Sequence, residues 1–132
     1  MSSAKPIAKV PRISAGLRVP FLYKIMSKQE WENAQAQGIY EGSDVDRRDG
    51  FIHLSAAHQV RATAQKHFPG KADLMLISVA QENLGPRLKW EASRGGDLFP
   101  HIYGTLQLDA MSEAVPLPLV NGAHQFPEGL PK

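Results

Sequence analysis

Two histidines lie inside short apolar segments that are typical of β-strands. His53 is in segment 50–55 (GFIHLS), and His101 is in segment 99–104 (FPHIYG). A core strand would more simply carry Val, Ile or Leu at such positions, so a polar ring there needs a physical reason. Histidine titrates near neutral pH, and its two nitrogens can bind hydroxyls, phosphates, protons or a metal. The two segments therefore predict a functional site without identifying its substrate.

Both histidines also have a purely structural interpretation. His53 has the same strand parity as Phe51 and Ser55, which directs it toward a cleft beside the start of the following helix, where backbone N–H groups attract anions. The alternative is a ring that is hydrogen-bonded to a neighbouring backbone carbonyl. His101 follows a proline, and it either contacts a ligand or braces its loop. The residues alone leave these alternatives open.

The side chains around the histidines are interpreted from their positions in strands and helices. Glu91 lies on the polar face of an alternating strand over 87–92, either as an acid of the site or as a surface acid paired with a basic neighbour. Ser55 is expected to cap the next helix rather than act as a nucleophile, because no Gly-x-Ser-x-Gly turn surrounds it. Trp90 and Tyr103 are expected in the core.

Length and composition predict one ordinary domain. The chain has 132 residues, of which 42% are hydrophobic and 21% charged, and no apolar run approaches the ~18 residues that a transmembrane helix needs. Cysteine is absent, which excludes disulfides, a thiolate nucleophile, a cysteine-based zinc site and an iron–sulfur cluster. The N-terminus has no continuous apolar segment of the secretory kind, so we expect a cytoplasmic protein.

Basic charge is concentrated at the N-terminus. Residues 1–20 hold four Lys/Arg and no acid, whereas the rest of the chain holds 11 Lys/Arg against 13 Asp/Glu. We expect 1–20 to be a flexible basic arm, 21–116 to be a single α+β domain and 117–132 to be an irregular C-terminal tail. No helix-turn-helix or RNA-recognition signature is present, so we expect no specific nucleic-acid binding and no membrane binding.

The predicted elements alternate at first and then become strands only. A capping box over Ser27–Glu30 begins the first helix and Gly38 ends it, an exposed loop covers 40–50, a second helix covers 56–68, and a strand buried on both faces covers 73–79. Two helices and short connections among the later strands favour an α+β fold with a small mixed or mostly antiparallel sheet. No Rossmann glycine motif or P-loop follows a strand.

Several motifs occur together with the two histidine segments: Leu-Tyr-Lys-Ile at 22–25, Glu30-Trp31, and Trp90-Glu91. In this combination the chain, over about 21–116, resembles a bacterial family known as domain of unknown function 952. The resemblance implies a fold similar to the ADP-ribosylation fold. It also implies a ligand of the class of NAD, ADP-ribose or a related phosphorylated nucleotide.

The resemblance further implies roles for individual residues. In ADP-ribosyltransferases a first-strand histidine holds the ribose and a later-strand glutamate orients the acceptor. The first strand of this chain carries Tyr23 and Lys24 and no histidine, and Glu91 stands for the later acid. His53, in His-Leu-Ser, is similar to the second-strand histidine of the RNA 2′-phosphotransferases that use NAD. We therefore predict His53 and Glu91 as catalytic residues, and as ligand-binding residues Ser55, His101, Tyr23 and Arg48.

Three functions are compatible with these residues. The first is a nucleotide site, with NAD as the cofactor class and with chemistry at an N-glycosidic or phosphoester bond. The second is a non-catalytic module that binds a ligand or a protein. The third is a metal-assisted hydrolase, but no pair of histidines has metal-ligand spacing, so we predict no metal site. The sequence leaves open whether the chain is an enzyme and how many copies associate.

Overall fold

The computed structural model describes residues 21–130 as an α+β protein in which every strand pair is antiparallel. The predicted basic arm at 1–20 lies outside the described residues. In chain order the α-helices and strands are β1 (Phe21–Ser27), α1 (Lys28–Gln37), β2 (Ile39–Tyr40), α2 (Asp44–Asp49), β3 (Ile52–His53), β4 (Ser55–Ala56), α3 (Val60–His67), β5 (Leu74–Ala80), β6 (Leu88–Ala92), β7 (Leu98–Ile102), β8 (Leu106–Gln107), β9 (Met111–Leu117), β10 (Leu119–Val120) and β11 (Ala123–His124).

Two sheets form the frame of the described residues. The larger has the strand order β4-β1-β5-β9, and the smaller has the order β3-β7-β6. The prediction of a buried strand over 73–79 is confirmed, because β5 is flanked by β1 and β9 and buries Leu76, Ile77 and Val79. Short pairs of strands, β2 with β8 and β10 with β11, complete the strand pairing.

Local capping fixes the limits of α1, as predicted. The Ser27 hydroxyl accepts a hydrogen bond from the Glu30 amide at 3.0 Å, and the Glu30 carboxylate accepts one from the Ser27 amide at 2.9 Å. Each group satisfies an N–H that the first turn of a helix leaves unpaired. Gly38 ends the helix with φ +78°, a left-handed conformation that glycine adopts at little cost.

The predicted exposed loop at 40–50 is wrong, because α2 forms within it. Ser43 and Asp46 make a second capping box, in which the Ser43 hydroxyl accepts from the Asp46 amide at 3.1 Å and the Asp46 carboxylate accepts from the Ser43 amide at 2.9 Å. Gly50 ends the helix at φ +90°. The turn-forming residues of this segment therefore cap a short helix instead of keeping the chain irregular.

Three further expectations are wrong for reasons of tertiary pairing. Ser55 does not cap a helix, because it pairs with Tyr23 as part of β4, and α3 begins only at Val60. Trp90 and Tyr103 are not core residues: they are 39% and 36% exposed. Trp90 is on β6, which is an edge strand of the smaller sheet, so that strand has no neighbour to cover it on one side.

The described part of the predicted irregular tail is partly ordered. It contains β10 and β11, and it buries Leu117 and Leu130 against α3 and the larger sheet. The Leu130 carbonyl also accepts a hydrogen bond from Arg61 at 3.1 Å. Burial of these leucines attaches the segment to the rest of the core, and the domain boundary at 116 stays a prediction.

None of the α-helices within residues 21–130 is long and apolar enough to cross a membrane, and the longest has ten residues.

Candidate functional site

The smaller sheet brings the two predicted histidines side by side. His53 on β3 is the register partner of His101 on β7, and the next pair, Ile52 with Ile102, is buried in the core. Because successive side chains of a strand point to opposite faces, both histidines lie on the face away from these isoleucines. Their ring centroids are 5.2 Å apart, and the Phe51 ring stacks on His101 at 4.1 Å.

Asp46 binds both the ring and the backbone amide of His53. Its Oδ1 is 2.7 Å from His53 Nδ1 and accepts from the His53 amide at 3.1 Å, while its Oδ2 is 2.8 Å from Lys24 Nζ. Burial by itself raises the pKa of Asp46, but the hydrogen bond from His53 and the charge of Lys24 outweigh burial and lower that pKa far below its usual range. Asp46 is therefore ionised and fixes the orientation of His53.

A second carboxylate contacts the other nitrogen of the same ring. Asp49 Oδ2 is 3.1 Å from His53 Nε2, and Asp49 Oδ1 is 3.3 Å from Arg48 Nε. Asp49 is the last residue of α2, and its side chain is 34% exposed, whereas that of Asp46 is 2% exposed. His53 is thus bound by one buried carboxylate and one that is open to solvent.

His101 has a carboxylate partner of its own. Its Nδ1 is 2.7 Å from Glu91 Oε1, and the Tyr103 hydroxyl donates to the two Glu91 oxygens at 2.9 and 3.1 Å. These hydrogen bonds, that from His101 first, lower the pKa of Glu91, and the same bond to Glu91 raises the pKa of Tyr103. Within the described residues, His101 Nε2 has no hydrogen-bond partner, although His101 is buried.

Ser55 is buried and already uses its proton. Thr63 Oγ1 donates to the Gln59 carbonyl at 3.1 Å, so its single proton is committed there. The contact of 2.9 Å between the Ser55 and Thr63 hydroxyls must then be donated by Ser55. In these contacts the Ser55 hydroxyl keeps lone pairs that can accept a hydrogen bond from a ligand, and Ser55 lines the cleft described next.

One cleft of about 850 Å³ runs past these groups. Of the predicted residues, it is lined by Tyr23, Arg48, His53, Ser55 and His101. Glu91 is not part of its wall and reaches it only through His101. Burial, followed by the charge of Glu113, raises the pKa of Tyr23.

Sequence reasoning missed the three residues that surround His53, namely Asp46, Asp49 and Lys24. The signal for α2 was present, because Ser43-x-x-Asp46 is a capping box of the same kind as the one found at Ser27. No local signal could identify Lys24 as the buried partner of Asp46, since they are 22 residues apart. Among residues 21–130, no group of three or more His, Asp or Glu is arranged to hold a metal ion.

The chain is similar in sequence and fold to solved structures of a bacterial protein. A crystal structure of protein CC0527 from Caulobacter crescentus is 51% identical, with a TM-score of 0.77, and the match covers 80% of this chain and 93% of that one. The solution NMR structure of the same protein is 50% identical, with a TM-score of 0.72, over 79% of this chain and 90% of that one.

Comparison with curated proteins gives no match. The family model described as "Protein of unknown function (DUF952)" matches residues 25–114, which include both histidine segments. The chain therefore belongs to the DUF952 family.

Proposed function

We propose that the cleft binds a phosphorylated nucleotide of the NAD or ADP-ribose class, and that His53 and His101 perform acid–base chemistry on it. The observation that carries this proposal is the pair of carboxylate-bound histidines, 5.2 Å apart between ring centroids, on the wall of one cleft. Two such rings can remove a proton from one oxygen and supply a proton to another within the same reaction.

The carboxylates determine which nitrogen of each ring is available. An ionised carboxylate can only accept, so Asp46 and Glu91 each place a proton on Nδ1 of their histidine. The Nε2 atom of each ring is then the nitrogen that can exchange a proton with a ligand. Glu91, which was predicted to be catalytic, acts through His101 in this scheme and is a positioning residue, while His53 and His101 are the two catalytic residues.

The contacts of Glu91 favour phosphoester over N-glycosidic chemistry. Both of its oxygens accept hydrogen bonds from the Tyr103 hydroxyl, and one is bound to His101, so it is not directed at a sugar carbon. In the favoured reaction one Nε2 takes a proton from an attacking water, whose oxygen bonds to phosphorus, while the P–O ester bond to the leaving oxygen breaks and the other Nε2 protonates that oxygen. For the terminal ribose ester of ADP-ribose, the products are ADP and ribose.

The similarity to the ADP-ribosylation fold is part of this proposal. Its support is the division of seven of the described strands between a four-stranded and a three-stranded sheet beside one cleft, and the antiparallel pairing of these strands departs from a mixed sheet. We place the activity in the cytoplasm, for which the absence of cysteine is the support.

A binding module without catalysis is the second candidate, and one observation favours it. Asp49 contacts Nε2 of His53, which is the atom that the proposed reaction needs. A ligand that bound beside His53 without displacing Asp49 would leave this nitrogen blocked. Such a protein would bind a nucleotide and convert none.

A thermal-shift titration with NAD, ADP-ribose and AMP, followed by ³¹P NMR of the same mixtures, tests both candidates. A ligand that prefers the native state raises the melting temperature by mass action. We expect a shift in the wild type and in His58→Ala, whose histidine is exposed and outside the cleft wall, and its loss in His53→Ala. His53→Asn, which keeps a donor for Asp46, controls for misfolding.

Equal shifts in the wild type and in both His53 variants would exclude His53 from the site and overturn the proposal. A shift that depends on His53, without any new ³¹P signal, would favour the binding module.

A further inference from the structure

We propose that His53 and Arg48 form an oxyanion site that the Asp49 carboxylate fills in the free protein and that a phosphate of the ligand takes over on binding. The inference rests on the proposed nucleotide function and specifies where the ligand phosphate binds. Asp49 then acts as an internal competitor of the ligand.

The contacts of Asp49 are those that a bound oxyanion would make. One oxygen is 3.1 Å from His53 Nε2 and the other is 3.3 Å from Arg48 Nε. Asp46 is hydrogen-bonded to Nδ1 of the His53 ring, and Asp49 lies at ion-pair distance from Nε2, the nitrogen on the other side of that ring. Asp49 thus lies between the His53 ring and the Arg48 guanidinium, two groups that also bind phosphate.

The two carboxylates on His53 differ in how easily they can leave. Asp46 is buried and accepts from Lys24 and the Ser43 amide as well, so moving it would break several hydrogen bonds at once. Among residues 21–130, the Asp49 carboxylate contacts only His53 and Arg48, and a third of its side chain is exposed. It also lies at the C-terminal end of α2, where the helix carbonyls repel a negative charge. When the Asp49 side chain rotates into water, His53 Nε2 and Arg48 Nε become available to another anion.

Arg48 gains contacts when the ligand replaces Asp49. Only its Nε contacts Asp49, at 3.3 Å, and its side chain is otherwise largely exposed. A guanidinium has five N–H donors in a planar fork and binds phosphate through two of them. The site therefore suits a phosphate ester, which presents more oxygens than the Asp49 carboxylate does.

The test compares two aspartates of the same helix. Asp49→Ala and Asp44→Ala remove the same charge from α2, and both residues line the cleft, but the Asp44 carboxylate is bound to Arg47 and is 98% exposed. Binding of AMP, inorganic phosphate and acetate is measured by calorimetry, and the ring of His53 is followed by ¹H–¹⁵N NMR. These probes separate a nucleotide phosphate from a free phosphate and from a carboxylate.

We expect Asp49→Ala to bind AMP about tenfold more tightly than Asp44→Ala does, because a like charge at contact distance of the incoming phosphate has been removed. The His53 ring signals should move on addition of AMP, and inorganic phosphate should bind more weakly than AMP. Asp49→Asn, which removes the charge and keeps the size, should fall between the wild type and Asp49→Ala.

Affinity in Asp49→Ala that is equal to or weaker than that in Asp44→Ala would overturn the inference. If that equal or weaker affinity is accompanied by unchanged His53 ring signals, the phosphate binds away from His53. If Asp49→Ala binds inorganic phosphate at His53 while neither protein binds NAD, ADP-ribose or AMP, the oxyanion site stands and the nucleotide function fails. If the wild type binds ADP-ribose and the Asp49 variants bind it no better, the function stands and this inference fails.

Discussion

Replacing Asp46 with alanine should destabilise the protein more than any other single change in the cleft. Asp46 and Lys24 form an ion pair of 2.8 Å, and both side chains are more than nine-tenths buried. Removal of Asp46 leaves the Lys24 ammonium with only the His53 carbonyl, at 3.0 Å, as a described hydrogen-bond partner. An uncompensated buried charge of this kind costs about 3–5 kcal/mol, so we expect a loss of that size in the free energy of unfolding.

Urea denaturation at pH 7, monitored by circular dichroism, measures this loss. The matched control is Asp44→Ala, which removes an exposed aspartate from the same helix and should cost no more than about 1 kcal/mol. The double variant Lys24→Met/Asp46→Ala removes both charges. It should be more stable than Asp46→Ala alone, because no unpaired ammonium remains in the core.

Two results would refute this reasoning. The first is a loss of unfolding free energy in Asp46→Ala that equals the loss in Asp44→Ala. Burial of the Lys24–Asp46 ion pair would then add nothing to the cost of removing the aspartate. The second is a double variant whose loss equals the sum of the losses measured separately in Lys24→Met and in Asp46→Ala, because additivity would mean that Lys24 and Asp46 do not interact.

Three other outcomes are expected from local contacts. The stability that ionised Asp46 contributes should be fully present above about pH 4, the ordinary pKa of an aspartate, and should fall as the pH drops toward the lowered pKa of the folded state. Urea midpoints at pH 7 and pH 3 should therefore differ more in the wild type than in Asp46→Asn. All three tyrosines should titrate above about pH 10 in the folded protein, because burial raises the pKa of Tyr23 and Tyr40 and the hydrogen bond to Glu91 raises that of Tyr103. In guanidinium they should titrate near pH 10, so the stability of the fold should decline as the pH rises beyond 10. Ultraviolet absorbance measures both titrations, and a single titration near pH 10 in both states would contradict this expectation. Ser27→Ala should cost about 1 kcal/mol by urea denaturation, and a cost near zero would mean that the capping box does not stabilise α1.

The elements that sequence reasoning predicted correctly depend on neighbouring residues. The limits of α1 follow from Ser27, Glu30 and Gly38, which act within one turn of the helix. The central position of β5 follows from apolar residues on both of its faces. Where a capping signal was overlooked, at Ser43 and Asp46, the helix was missed although the same local physics applied.

The errors have a different cause, since they depend on residues that are distant along the chain. Ser55 is taken into a strand by its pairing with Tyr23, which overrides its preference for a helix cap. Tyr103 is drawn toward Glu91 at the surface and out of the core. A hydroxyl group of this kind is more stable beside an exposed carboxylate than buried without a partner.

The sequence by itself determined that histidines occupy two strands, that the fold is α+β, and which family motifs the chain carries. Only the tertiary structure decided what each histidine contacts. His53 meets Lys24 and Asp46 because β1, α2 and β3 converge, and His101 meets Glu91 because β6 pairs with β7. Strand parity specifies a face, but the partners on that face come from the sheet register and from helix packing, which are set by burial of the whole core.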